Sequence, residues 1–258
     1  MRLLLLNANT TEAMTARMVE AATRVAGAGV AIDGATGRFG ARYISTRAAA
    51  AIAGHAALDL LAQEVGAANP GGYDAVALAC FGDPGLLALK ELSPIPVVGM
   101  AEASLTLAAQ LGGRIGVVTG GERWVPMLRE LALVLGLGER VAALRATRLT
   151  GAQVAADPAA AEAELAALAR ACVAEDGADV VVFGGAGLVG MAARLQPALD
   201  VPLLCSLDCL VAAAISAARL GAAKAARGSF APPPPTPSTG LSPALATLLA
   251  AGPPPGAR

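Results

Sequence analysis

The stretch Asp74-Ala75-Val76-Ala77-Leu78-Ala79-Cys80-Phe81-Gly82 decides the fold, because it returns 105 residues later as Asp179-Val180-Val181-Val182-Phe183-Gly184-Gly185-Ala186-Gly187. Each copy is an acidic residue, a continuous apolar run and a small-residue turn, the pattern of a strand buried on both faces of a parallel sheet. Working outward, Gly85 falls on Gly190 and Ala88 on Ala193. After one inserted residue, Ile95-Pro96-Val97-Val98 falls on Val201-Pro202-Leu203-Leu204. Upstream, Arg2-Leu3-Leu4-Leu5-Leu6-Asn7 and Arg114-Ile115-Gly116-Val117-Val118-Thr119 open the two copies. Identities are few, and the preserved order of elements carries the argument for an internal duplication. In that frame Cys80 stands where the second copy has Gly185.

Apolar runs bounded by Gly, Pro or Asn alternate with longer Ala/Leu segments, which predicts buried parallel strands joined by crossover helices. Strands are expected at 2–7, 29–35, 74–80, 95–99, 114–119, 140–146, 179–184 and 201–205. Helices are expected at 11–26, 46–67, 84–92, 101–112, 122–136, 158–175, 188–195 and 207–220. Thr10 or Thr11 is placed to cap the first helix, and Asp157-Pro158 reads as an N-cap followed by proline at the first helical position. The fold class is α/β, with two pseudo-symmetric parallel-sheet lobes and a site in the cleft between them. The first lobe is assigned to 1–100 with 206–227 and the second to 101–205. From 228 to 258 the proline content (Pro232–Pro235, Pro237, Pro243, Pro253–Pro255) removes backbone donors. That tail is expected to be disordered and outside the mechanism, unless 241–251 makes a short docking helix.

Composition excludes several functions. The 258 residues carry a formal net charge of −1 and only 3% aromatic side chains, so there is neither a basic field for phosphates nor a set of stacking platforms, and no nucleic-acid partner is expected. Mean hydropathy is +0.60, yet much of the apolar content is dispersed alanine. No run approaches the roughly 20 residues that span a bilayer, so no membrane partner and a cytoplasmic location are expected. Four cysteines, Cys80, Cys172, Cys205 and Cys209, read as free thiols. With one histidine, His55, no metal cluster is visible. Cys205 and Cys209 sit one helical turn apart without further ligands. Cys172 reads as core, His55 as a surface residue or a local partner of Asp59, and Glu102 as structural.

In open parallel sheets ligands bind beyond the carboxyl ends of the strands, where helix N-termini converge. That rule selects the loops 7–10, 80–83, 99–102, 119–121, 184–187 and 205–206, and within them the site residues expected are Asn7, Asn9, Cys80, Phe81, Gly82, Thr119, Gly120, Gly185 and Ala186, together with Cys205. Cys80 precedes an expected helix start at Asp83-Pro84, a position that lowers a thiol pKa and suits it to act as a base or nucleophile. The competing reading is a small buried hydrophobe. Phe81-Gly82 and Gly185-Ala186 are expected to supply backbone donors, and Asn7, Asn9 and Thr119 polar side chains. The Gly184-Gly185-Ala186-Gly187 run lies too late in the chain for a dinucleotide loop.

Asn7-Ala8-Asn9-Thr10-Thr11, Ala79-Cys80-Phe81-Gly82-Asp83-Pro84-Gly85-Leu86, Lys90-Glu91-Leu92 and Pro96-Val97-Val98-Gly99-Met100-Ala101-Glu102-Ala103 resemble, over roughly residues 1–225, the hydantoin racemases of the aspartate/glutamate racemase superfamily. The resemblance implies two pseudo-symmetric lobes, a cysteine from each flanking a small-molecule substrate, and no metal or organic cofactor. One thiolate removes the proton from the stereogenic carbon and the opposite thiol delivers one to the other face. Elementary chemistry agrees, since inversion at carbon requires an acid and a base on opposite faces and a means of holding enolate charge.

The second block departs from that pattern. Where the family has Gly-Cys-Gly/Ala-Gly-Met, this chain has Gly184-Gly185-Ala186-Gly187-Leu188, and Cys205 replaces an aspartate at another strand end. Three outcomes stay open. Cys205 acts as the second acid; or Cys80 works alone, in proton exchange, one-sided protonation after decarboxylation, or an isomerase or lyase step; or the cleft only binds a small ligand. The association state expected for paired lobes with Ala-rich helices is a homo-oligomer, by default a dimer.

Overall fold

Four consecutive leucines, Leu3–Leu6, are buried in β1 (Arg2–Asn7), which lies inside a four-stranded parallel sheet of order β2-β1-β3-β4. Its neighbours are β2 (Ala31–Thr36), β3 (Ala75–Leu78) and β4 (Val97–Gly99). A second sheet of order β6-β5-β7-β8 repeats this arrangement with β5 (Ile115–Gly120), β6 (Val141–Thr147), β7 (Val180–Gly184) and β8 (Leu203–Cys205). The computed structural model describes residues 1–251. Pro253–Pro255, counted above with the tail, lie outside the described residues.

The helices are α1 (Glu12–Ala26), α2 (Arg47–Glu64), α3 (Leu86–Leu92), α4 (Met100–Leu111), α5 (Trp124–Val134), α6 (Gly151–Ala156), α7 (Pro158–Ala174), α8 (Met191–Leu195), α9 (Ser206–Leu220) and α10 (Pro243–Ala251). Asp157 caps α7 as expected, accepting from Ala160 N–H at 3.1 Å with Pro158 at the first position. Thr11 occupies the N-cap of α1, but its hydroxyl donates to Arg42 O at 2.8 Å instead of capping. The expected helix start at Asp83 is also displaced. Asp83 and Gly85 both have positive φ, and α3 begins only at Leu86. Of the Pro-rich segment, Pro243–Ala251 is helical and packs on α2 with Leu245 buried.

The duplication holds at the level of single hydrogen bonds. Asp74 accepts from the amide of Arg2 and returns its own N–H to Arg2 O; Asp179 does the same with Arg114. The turn closed by Asp83 N–H on Cys80 O, at 3.0 Å, is matched by Leu188 N–H on Gly185 O, also 3.0 Å. Gly85 and Gly190 hold the same left-handed N-cap geometry before α3 and α8.

The two halves exchange a helix. After β4 the chain sends α4 across to pack beneath β7, and after β8 it sends α9 back beneath β3 and β4, with α4 and α9 against each other. On the cleft side the halves meet through Phe81, whose ring sits over Gly184. A Cβ built on Gly184 would lie 2.1 Å from that ring. Overpacking a closed contact costs about 1–3 kcal/mol. Gly184→Ala is therefore expected to lower unfolding stability by that amount in urea titrations with an unchanged m-value. A variant as stable as the parent would show that the Phe81 contact is not a constraint.

Candidate active site

The carboxyl ends of β1, β3, β5 and β7 surround a cavity of about 90 Å³, room for one small ring. Asn9, Cys80, Phe81, Thr119, Gly120, Gly185 and Ala186 line it, seven of the ten expected site residues, whereas the 99–102 loop that the strand-end rule also selected does not. Asn7 stands one layer behind: its amide nitrogen donates to Asn9 Oδ1 at 3.0 Å and to Thr15 Oγ1 at 2.9 Å, fixing the Asn9 side chain. Gly82 is turned onto Trp124, where a Cβ would meet the indole at 2.4 Å.

Cys205 does not line the cavity. Strand register explains why: Cys205 pairs with Phe183 as Gly99 pairs with Leu78, so it is the second-half counterpart of Gly99, a strand-end residue that starts a crossing helix. Its thiol is buried beside Asp208 and is pushed up to about 11 by that burial and then by the Asp208 charge. The substitute-acid role left open for Cys205 is thus not supported by its place, which is outside the cavity lining. Cys209 and Cys172 are likewise buried, and His55 stacks edge-on against Phe39 at 4.8 Å without a bond to Asp59. Among the described residues no group of His, Cys, Asp and Glu could hold a metal ion, and no helix is long and apolar enough to cross a membrane.

Cys80 is 9% exposed, in the cavity wall. The helix expected to start directly after it begins only at Leu86, and its pKa is not lowered. Burial pushes the thiol up to about 12, and the Asp83 carboxylate adds to the rise. Asp83 faces away, accepting from Ala101 N–H at 3.0 Å and Glu102 N–H at 2.8 Å, and so caps α4. Burial raises this carboxyl to about 7 against the pull of those amides. Glu102 completes the α4 start, accepting from Gly99 N–H at 3.3 Å and pairing with Lys90.

The turn from Cys80 to Asp83 leaves the Phe81 and Gly82 amides without a backbone partner among the described residues. Gly185 differs from expectation, since its N–H donates to Ser206 Oγ at 3.1 Å and is not free. The Thr119 hydroxyl donates to Gly184 O at 2.8 Å. Gly185 has φ +129, and its Cβ position meets no atom closer than 3.9 Å, so the wall opposite Cys80 in the duplicated frame is open.

Sequence reasoning missed Tyr43 and Trp124. Tyr43 reaches from the β2–α2 loop to the second half, its hydroxyl donating to Gly120 O and accepting from Gly151 N–H, each at 3.2 Å. With Phe81, three of the seven aromatic side chains in the chain line this one cavity. Their scarcity was the available signal. Among the described residues Arg42 is the one charged lining residue.

The family described as Asp/Glu/Hydantoin racemase matches residues 3–214. The chain belongs to this family. It is similar to the hydantoin racemase of Paenarthrobacter aurescens, at 32% identity over 90% of this chain and 98% of that protein. Its fold is similar to allantoin racemase from Pseudomonas fluorescens (TM-score 0.87, 32% identity, 93% of this chain and 100% of that one). It is also similar to allantoin racemase from Klebsiella pneumoniae (TM-score 0.86, 31% identity, 93% and 96%). The chain is therefore a hydantoin/allantoin racemase-like family member, of isomerase type.

Two outcomes follow for Asp83→Asn. Removing the carboxylate beside Cys80 favours the thiolate, so the pH midpoint of Cys80 alkylation, read by site-resolved mass spectrometry, is expected to fall; an unmoved midpoint would exclude the coupling. For stability, a folded carboxyl at about 7 against an ordinary value near 3.9 contributes stability that is complete below about pH 4 and is lost as pH rises to about 7. The parent-minus-variant stability difference is expected to shrink over that window by up to about 4 kcal/mol. A flat difference in denaturant titrations would contradict it.

Proposed function

We propose that this chain exchanges the proton on the stereogenic carbon of a small hydantoin-type ring or related amino-acid-derived carbonyl compound, with Cys80 as acid and base and no cofactor. The observation that carries this reading is a single thiol in the wall of a small cavity beside Phe81, whose amide has no backbone partner among the described residues. A carbon acid needs a strong base within reach and donors for the enolate oxygen that forms, and this wall holds both. The relatives named for hydantoin and allantoin support a ureide ring, whose reacting carbon lies between a carbonyl and a nitrogen.

A thiol pushed up to about 12 is scarce as thiolate at neutral pH but strong once ionised. Exchange is therefore expected to climb about tenfold per pH unit through the neutral range.

Gly185 favours a one-thiol form of the chemistry. Cys80 serves one face, and the opposite face lacks a thiol. The same residue favours a second reading, in which Cys80 protonates one face of an enolate generated by loss of carbon dioxide. Both need Cys80 and neither needs Cys205.

The test follows deuterium uptake from D2O and optical rotation together, using hydantoin substrates. Cys80→Ala is expected to lose about 10²- to 10⁴-fold in exchange, and Cys205→Ala to keep its exchange rate. Gly185→Cys, checked for folding because of the positive φ, is expected to raise inversion relative to exchange. Exchange indifferent to Cys80→Ala in a folded variant would overturn the mechanism.

A further inference from the structure

A second cavity of about 510 Å³ adjoins the first, and Tyr43 and Trp124 line both. Three loops run from the inner space to the outer one: Tyr43 to Ser45, Gly120 to Glu122, and Gly151 back to Thr150. The inner cavity is about 90 Å³, so a ring seated against Cys80 fills it and any sizeable substituent must leave toward the larger chamber.

The chamber has a definite electrostatic character. Arg123 and Arg148 line it, both exposed, and neither guanidinium has an ion-pair or hydrogen-bond partner among the described residues. Elsewhere Arg2, Arg47, Arg145 and Arg194 are neutralised by carboxylates. Among the described residues Glu122 is the one acid lining the chamber, and Arg42 the one charged residue lining the inner cavity. Three guanidinium groups therefore face one carboxylate across the joined spaces of a chain whose net charge is −1. Low-dielectric walls such as Trp124 and Tyr43 focus such a field, and the guanidinium fork matches a carboxylate in geometry.

We infer that this outer chamber, with Arg123 and Arg148, is a subsite for a carboxylate on the substituent of the substrate ring. The inference rests on the proposed function for its ring and adds the class of side arm: a flexible chain of a few atoms ending in an anion. The inner cavity recognises the ring through amides and apolar contact. Selection among rings is made outside it.

The test compares 5-(2-carboxyethyl)hydantoin with its neutral isostere, 5-(2-carbamoylethyl)hydantoin, in wild type and in Arg123→Gln, Arg148→Gln and the double variant. Deuterium exchange at low salt is expected to give the acid a kcat/KM about tenfold above the amide, an advantage that shrinks in high salt. In the double variant the loss for the acid is expected to exceed the loss for the amide by about the same factor. Equal treatment of acid and amide by wild type, or an acid advantage that survives the double variant, would overturn the subsite. Calorimetric binding to Cys80→Ala separates this from the chemistry. Tighter binding of the acid, lost with both arginines, supports the chamber even where no ring shows exchange, whereas equal binding counts against it.

Discussion

The exchange of α4 and α9 between the two sheets is the constraint from which the cleft follows. Each helix begins at the carboxyl end of its own sheet and buries its apolar face under the other, so neither sheet has a complete underside without its counterpart. Hydrophobic burial is the dominant favourable term in such packing, and here it is shared across the halves. The ends of β3 and β7 are consequently held facing one another, and the turn that follows each strand is placed in a common wall. Phe81 over Gly184 and Tyr43 between Gly120 and Gly151 close the same boundary from the solvent side.

Within that frame the halves have diverged where chemistry is concentrated and agree where backbone is satisfied. Asp74 and Asp179 perform the same task on the amides of Arg2 and Arg114, because every start of a buried strand needs its donors met. By contrast Cys80 faces Gly185, Asp83 corresponds to Leu188, and Gly99 corresponds to Cys205. The first half carries a thiol and a buried carboxylate three residues apart. The matching turn of the second half carries neither, and its Gly185 amide is spent on Ser206. The cleft is thus built with twofold symmetry but polarised, with the Cys80 thiol in one wall and open space at Gly185 in the other.

All eight expected strands and all eight expected helices are present, because continuous apolar runs such as Leu3–Leu6 and Val180–Phe183 have one solution when they alternate with amphipathic segments. The misses have local causes. The six-residue α6 announced itself by a capping box, Thr150 with Gln153, in a segment too short to show periodicity. Asp83-Pro84 has the composition of a helix start, yet the Asp83 carboxylate is drawn to the N-terminus of α4, eighteen residues on, a tertiary contact that no local pattern encodes. Cys205 obeys the strand-end rule and still misses the cavity, since that rule does not separate a strand end that opens on the cleft from one that starts a crossing helix. Tyr43 acts through loop geometry, which leaves only its rarity to betray it.

A thiol raised to about 12 sits uneasily with the role of a base until the charge is followed through the reaction. Moving a proton from carbon to sulfur converts a thiolate beside a neutral substrate into a thiol beside an enolate, so the cavity holds one negative charge before and after. Burial and Asp83 disfavour that charge on sulfur. In the proposed reaction the Phe81 amide, which has no backbone partner among the described residues, would favour it on an oxygen placed next to it. An interaction that penalises the reactant anion and stabilises the product anion works on the difference between the two, and only such a difference lowers a barrier. In the proposed reaction the wall of this cleft is therefore better suited to the enolate than to the thiolate, and the high pKa of Cys80 would become part of the driving force for carbon deprotonation, at the cost of a small ionised fraction at neutral pH.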